Sequence, residues 1–211
     1  MKKFIIALIA VFSLLSYSAS AFTVEVVNLA EIYEPSDWAE TEVNKALENG
    51  LINDEDGIFY RDDINREQFA ELITVCVDKL VDTSSVEKAA AFVDSDNEQV
   101  LRAAAMGIVA GVGDNKFAPT QKITRQEIAA MMHRAIKYVE SAKGTSYLNA
   151  NSDISKFEDA DKVSDWAKES VGTLVNNQII FGTSDTEISP LDNTTIEQAI
   201  LLDVRIFDLM K

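Results

Sequence analysis

The sequence predicts an all-α protein made of three helix-loop-helix repeats, and three observations carry that prediction. A capping-box pattern occurs at Asn65-Arg66-Glu67-Gln68, Thr124-Arg125-Gln126-Glu127 and Thr195-Ile196-Glu197-Gln198. In such a box the cap residue and the residue three positions on satisfy each other's backbone N–H, which starts a helix. Each box runs into apolar residues spaced three and four apart, the period of one buried helical stripe. Upstream of each box lies a shorter matching unit: Asp37-Trp38-Ala39 with Val43, Ala46 and Gly50; Asp94-Ser95 with Val100, Ala103 and Gly107; Asp165-Trp166-Ala167 with Val171, Leu174 and Gln178. A helix pair of this size cannot bury its own apolar face, so the three copies are expected to close around a shared axis as one domain.

The elements follow in order. Lys2 and Lys3 precede the apolar run from Phe4 to Leu15, and Ala19-Ser20-Ala21 supplies the small residues a signal peptidase reads. Residues 1–21 therefore read as a secretory signal, too short in its apolar part to span a bilayer, so no direct membrane insertion is expected after its removal. Residues 22–36 form a lead-in, either an edge strand or a cover for the core. Repeat 1 occupies 37–91, with stripe residues Phe69, Leu72, Ile73, Cys76 and Leu80 and a short Ala-rich helix expected at 86–91. Repeat 2 occupies 92–140, with Ile128, Met131, Met132, Ala135, Ile136 and Val139. Residues 141–156 read as a solvated linker, and a degenerate repeat 3 fills 157–211, with Ala199, Leu202, Ile206 and Leu209. Between the paired helices, Phe59, Phe117-Ala118-Pro119 and Ile188-Ser189-Pro190 read as extended segments anchored by an apolar residue. Gly50 and Gly107 stand where a left-handed residue ends the first helix, and Gly111 and Gly182 lie four residues after the Gly107 and Gln178 positions.

Charge narrows the function classes. The chain holds 35 acidic against 19 basic residues, a formal net charge of -16, and loses two of its lysines with the signal. Such a balance argues against nucleic acid and against docking on anionic lipid. Cys76 is the one cysteine, at a stripe position, and reads as a buried inert thiol in an exported chain that has no disulfide to hold it. His133 is the one histidine, so neither a catalytic triad nor a histidine metal site is expected. The acid-rich runs 53–57 and 94–98 lack the ligand spacing of a calcium loop, and no cofactor or metal is implied.

The order Asp-Trp-Ala, Gly-Ile-Val-Ala-Gly, Phe-Ala-Pro and Ile-Thr-Arg-Gln-Glu resembles the S-layer homology domain, most fully at 107–127. That resemblance implies a pseudo-threefold all-helical domain with a central bundle and peripheral helices. It also implies a non-catalytic cell-envelope protein, at the cell wall or cell surface, whose inter-repeat grooves hold wall polysaccharide. By position it places glycan contacts at Arg66, Arg125, Glu127, Trp38, Trp166, Asp37, Asp94 and Asp165, with Gly107 and Gly111 in the same region. Ser95, Ile196 and Gln178 depart from the pattern, so at most two intact grooves are expected. A guanidinium offers a carboxylate two parallel donors, and an indole offers a sugar ring a flat apolar face.

Other readings of these residues stay open at this level. Arg66 and Arg125 also suit ion pairs between repeats, the tryptophans suit core plugs, Glu127 suits a helix cap, and the aspartates suit helix N-caps or first-turn acids. An adaptor that keeps the fold and binds another envelope protein is the rival function.

Overall fold

The computed structural model describes residues 33–54, 57–88 and 92–211. The signal sequence, the lead-in up to residue 32 and residues 89–91 of the expected Ala-rich helix lie outside these; residues 86–88 are not helical. Among the described residues there are six α-helices and one 3-10 turn: α1 Glu40–Glu48, α2 Arg66–Leu80, α3 Glu98–Ala105, α4 Arg125–Lys143, α5 Lys168–Asn176 and α6 Ile196–Met210, with the turn at Ala160–Lys162. The fold is all-α, as the stripes predict.

All three long helices, α2, α4 and α6, begin with a closed capping box. They pack against one another in every pairing, and each short helix docks on the long helix of another repeat: α3 on α2, α5 on α4, α1 on α6. The order is cyclic. It buries Phe69, Ile73, Phe117, Ile128, Met132, Ile136, Ile200 and Ile206 in one continuous core.

A helix N-terminus leaves donors without intrahelical partners, and here the loop of the following repeat takes them. Arg66 N–H donates to the Gln121 carbonyl (2.9 Å) and Glu67 N–H to Pro119 (3.1 Å). Arg125 donates to Asp192 and Gln126 to Pro190 (both 3.0 Å). Ile196 donates to Asp62 and Glu197 to Tyr60 (both 2.9 Å). With the third donor closed by the capping box, each long helix is locked to the next repeat. The same side of each helix also holds the approach to its docked short helix. Ser36 donates its N–H and hydroxyl to Glu197 (2.8 and 2.9 Å), Ser164 N–H donates to Gln126 (3.0 Å), and the Ser95 hydroxyl donates to Glu67 (3.3 Å).

The structure corrects four details. The loop anchor of repeat 1 is the half-buried Ile58, in register with the fully buried Phe117 and Ile188, whereas Phe59 is exposed. Asp37, Asp94 and Asp165 are not N-caps: Ala39, Asn97 and Ala167 hold those positions, and only Asn97 caps with its side chain. The first-turn acids are Glu40, Glu42, Glu98 and Glu169. Of the expected linker 141–156, residues 141–143 belong to α4, and residues 144–156 have no helix but are not wholly solvated. Ile154 is buried, Asn176 donates to the Asp153 carbonyl (2.8 Å), and the Ser152 backbone passes so close to Gly172 that no side chain fits there.

Candidate functional site

Three clefts lie at the three junctions between repeats, and their linings correspond position by position. The first arginine cleft is lined by Arg66 from α2, by Ala110, Gly111 and Val112, by Glu127, Ala130, Met131 and Arg134 from α4, and by Trp166. The second is lined by Arg125 from α4, by Phe181, Gly182 and Thr183, by Gln198, Leu201, Leu202 and Arg205 from α6, and by Trp38. The third junction puts Ile196 at the arginine position, Asn53 beside it, and Gln68, Glu71, Leu72 and Val75 along α2. It has no arginine and no tryptophan in its lining, in keeping with Ile196 and Ser95 in the sequence.

Each groove arginine projects from the first turn of its helix over the neighbouring loop, which is why the local geometry points it into a junction and not into solvent. Arg66 Nε donates to the Phe117 carbonyl (2.9 Å), Nη2 to Ala110 (3.0 Å) and Nη1 to Glu127 Oε1 (3.0 Å), with the guanidinium 4.9 Å from the centre of the Phe117 ring. It is only 4% exposed. Arg125 repeats two of these bonds, Nε to Ile188 (2.9 Å) and Nη2 to Phe181 (2.7 Å), and stays half-buried. Burial pulls both guanidinium groups below their ordinary value; Glu127 opposes the shift at Arg66, and Asp192 and Asp159 oppose it at Arg125. Both remain cations, since a guanidinium does not deprotonate in proteins.

The tryptophans are not core plugs. Trp38 is 54% and Trp166 56% exposed, each on the turn that leads into a short helix, with a face to the cleft. Glu127 does two jobs: Oε2 accepts from Thr124 N–H (2.9 Å) and hydroxyl (2.7 Å), and Oε1 accepts from Arg66. Gly111 lines the first arginine cleft, and a Cβ there would stand 2.7 Å from the Lys116 carbonyl. Gly107, at φ +72°, ends α3 and lines an adjoining depression with His133, Lys137, Glu169 and Trp166. His133 Nδ1 is bonded to the Ser170 hydroxyl (3.1 Å), and burial lowers its pKa.

The three aspartates are not equivalent. Asp37 is exposed, and Asp165 is exposed with Lys168 as partner (2.6 Å). Asp94 instead accepts the N–H groups of Phe117 (2.7 Å) and Ala118 (2.9 Å), which hold its carboxyl below the usual range. Its structural counterpart is the buried Asp159, which accepts from Ile188 (2.9 Å) and Ser189 (2.7 Å) in the same way. Sequence reasoning missed Asp159, although Phe92-Val93-Asp94 and Phe157-Glu158-Asp159 share a Phe-x-Asp pattern. It also missed Arg134 and Arg205. Both stand seven residues after the acid or amide of the capping box, two turns along the same helical face.

No described helix is long and apolar enough to cross a membrane. The sequence model of the S-layer homology domain matches residues 93–129 and 156–200. A middle cell wall protein of Brevibacillus brevis is 30% identical over 113 residues, which is 53% of this chain and 10% of that protein. An S-layer protein of Bacillus licheniformis is 28% identical over 152 residues, 69% of this chain and 16% of its own length. An endoglucanase of Bacillus sp. is 28% identical over 141 residues, 65% of this chain and 14% of the enzyme. The chain thus spans a small fraction of the relatives it matches.

Proposed function

We propose that this chain, which the S-layer homology domain model matches at residues 93–129 and 156–200, is a non-catalytic protein of the cell wall or cell surface that holds wall polysaccharide in its two arginine clefts. One observation carries the reading: the same set of two arginines, one exposed tryptophan and a glycine-backed loop is assembled twice, from cyclically related parts of the chain. A core does not need such a set, since the third junction closes without it. The tryptophan offers a sugar its apolar face and an indole donor. The arginines supply charge-assisted bonds to hydroxyls or acidic substituents. The relatives named for the cell wall and the S-layer support this placement.

The test is sedimentation of the purified protein with isolated cell walls. Trp38→Ala with Trp166→Ala removes side chains that are more than half exposed, so the fold should persist by circular dichroism while wall binding falls at least tenfold. Undiminished pull-down of that folded double variant would defeat the proposal. The third junction motivates a second reading, an adaptor that binds another envelope protein: its lining replaces every cation of the other two clefts by Ile196 and Val75. Failure of the wild-type protein to sediment with any wall fraction, together with co-purification of a defined partner, would favour it.

A further inference from the structure

We infer that the depression floored by His133, which shares Trp166 and Arg134 with the Arg66 cleft, is a second subsite for an uncharged sugar, so that this junction binds two linked sugar units where the Arg125 cleft binds one. The inference rests on the glycan-binding reading above and adds how far along the polymer the contact runs.

Trp166 and Arg134 line both spaces, which therefore meet at a common wall. The depression measures about 480 Å³ and the Arg66 cleft about 340 Å³, both of a size that takes a small ligand. Gly107 brings no side chain into the depression, and nothing stands within 4 Å of where its Cβ would be. His133 is 8% exposed, with Nδ1 bonded to the Ser170 hydroxyl at 3.1 Å. Among the described residues no protein group meets its Nε2, and the ring lines the depression. A polar side chain buried with a nitrogen left over is costly unless something else meets that nitrogen.

The surrounding groups say what that partner is. Burial lowers the His133 pKa, so at neutral pH the imidazole offers a hydrogen bond and no charge. Arg134 and Lys137 bring donors to the lining and Glu169 brings acceptors. An anion entering the depression would meet Glu169, and a cation would meet Arg134. A hydroxyl both donates and accepts, so a neutral sugar satisfies all of them while its ring lies against the indole.

The sister junction lacks this depression's chemistry. One repeat further round, Val204, Asp208 and Glu42 take the places of His133, Lys137 and Ser170. Lys45 joins Glu42 to Asp208 there (both 3.3 Å), so the charged groups satisfy one another. Val204 is buried and packs without a polar atom. The fold therefore does not need a histidine at this place.

His133 is the one histidine of the chain, so its imidazole NMR signals report the depression without ambiguity. The full mature chain, carrying Trp38→Ala to take the sister cleft out of the measurement, is titrated with mono-, di- and trisaccharide fractions released from isolated cell walls. The imidazole signals should stay with the monosaccharides and move with the disaccharides, which should bind about tenfold more tightly by calorimetry. Adding Lys137→Ala and Glu169→Ala, both at exposed positions, should bring the disaccharides down to the affinity of the monosaccharides. The second subsite is overturned if the disaccharides bind no better than the monosaccharides, if they leave the imidazole signals in place, or if the added substitutions cost them nothing. Any of these results with monosaccharide still bound leaves the wall-polysaccharide reading standing, whereas binding by no fraction at all overturns both.

Discussion

Replacing Asp203 by leucine should stabilise the protein, and the gain should grow with pH. Asp203 lies on α6 in the layer where α2 places Ile73 and α4 places Met132. Those two side chains are 0% exposed and Asp203 1%, and neither carboxyl oxygen has a hydrogen-bond partner beyond the weakly donating Cys76 thiol. The neighbouring polar side chain is the Cys76 thiol, whose own pKa burial pushes up. Burial drives the carboxyl far above its ordinary value, so the folded state keeps a proton that the unfolded chain releases near pH 4. Below that pH both states are protonated and the group carries no pH-linked penalty. Above it the unfolded state is favoured by about 1.4 kcal/mol per pH unit, until the folded state also ionises. From pH 4.5 upward the stability advantage of Asp203→Leu over the wild type should therefore widen, at up to about 1.4 kcal/mol per pH unit, until the folded state also ionises. A further pH-independent gain of about 1 to 3 kcal/mol comes from removing buried oxygens that a thiol satisfies only weakly. Urea melts of both proteins at pH 4.5, 5.5 and 6.5 measure this, with Asp203→Asn as the polar control that cannot titrate. Parallel stability curves for wild type and both variants would refute the reasoning.

Three other substitutions test the frame of the clefts. Gln178 occupies the position of Gly50 and Gly107 with φ +59°, so Gln178→Gly should raise stability by about 0.5 to 1 kcal/mol in a thermal melt, relief of left-handed strain outweighing the entropy of glycine. Gly182→Ala would put a Cβ 2.4 Å from the Glu187 carbonyl and 2.5 Å from that of Ser184; a loss of about 2 kcal/mol or more and a displaced cleft wall are expected, by melt and by wall binding. Arg125→Ile copies the third junction and should remain folded, with the backbone N–H bond of position 125 to the Asp192 carbonyl retained, while sedimentation with cell walls weakens.

Helix starts were legible because a capping box is a local chemical pattern, and the stripes behind it fix which face is buried. Loop register was harder. Counting eight residues back from the first helical position gives Ile58, Phe117 and Ile188 alike, yet the larger ring of Phe59 draws attention one position away. Asp94 misled for a different reason. Its distance to Val100 matches that of Asp37 to Val43 and Asp165 to Val171, but from the Phe of Phe-x-Asp to that valine repeat 2 takes eight residues where repeat 3 takes fourteen. The second repeat is thus short of the turn that displays Trp38 and Trp166, and its aspartate does the work of Asp159. Exposure of the tryptophans was not written in the sequence, because an aromatic beside a helix start packs inward or outward according to what the next repeat brings against it. Arg134 and Arg205 escaped notice since an arginine two turns along a polar helical face has the pattern of any solvated residue until another repeat walls it in.

The same geometry explains why clefts and fold vary independently. Closure of each junction rests on backbone donors at the helix N-terminus reaching carbonyls of the next repeat, and Ile196 and Glu197 make those bonds as Arg66 and Glu67 do. A side chain at that first helical position is therefore not required for the lock. It leans across the locked loop into the space between repeats, so whatever residue stands there becomes a wall of the cleft. Arginine makes that wall cationic at two junctions, and isoleucine makes it apolar at the third. The third residue of the next long helix also differs between the two cationic walls: Glu127 closes its capping box and accepts from Arg66 as well, whereas the uncharged Gln198 closes its own box with Thr195.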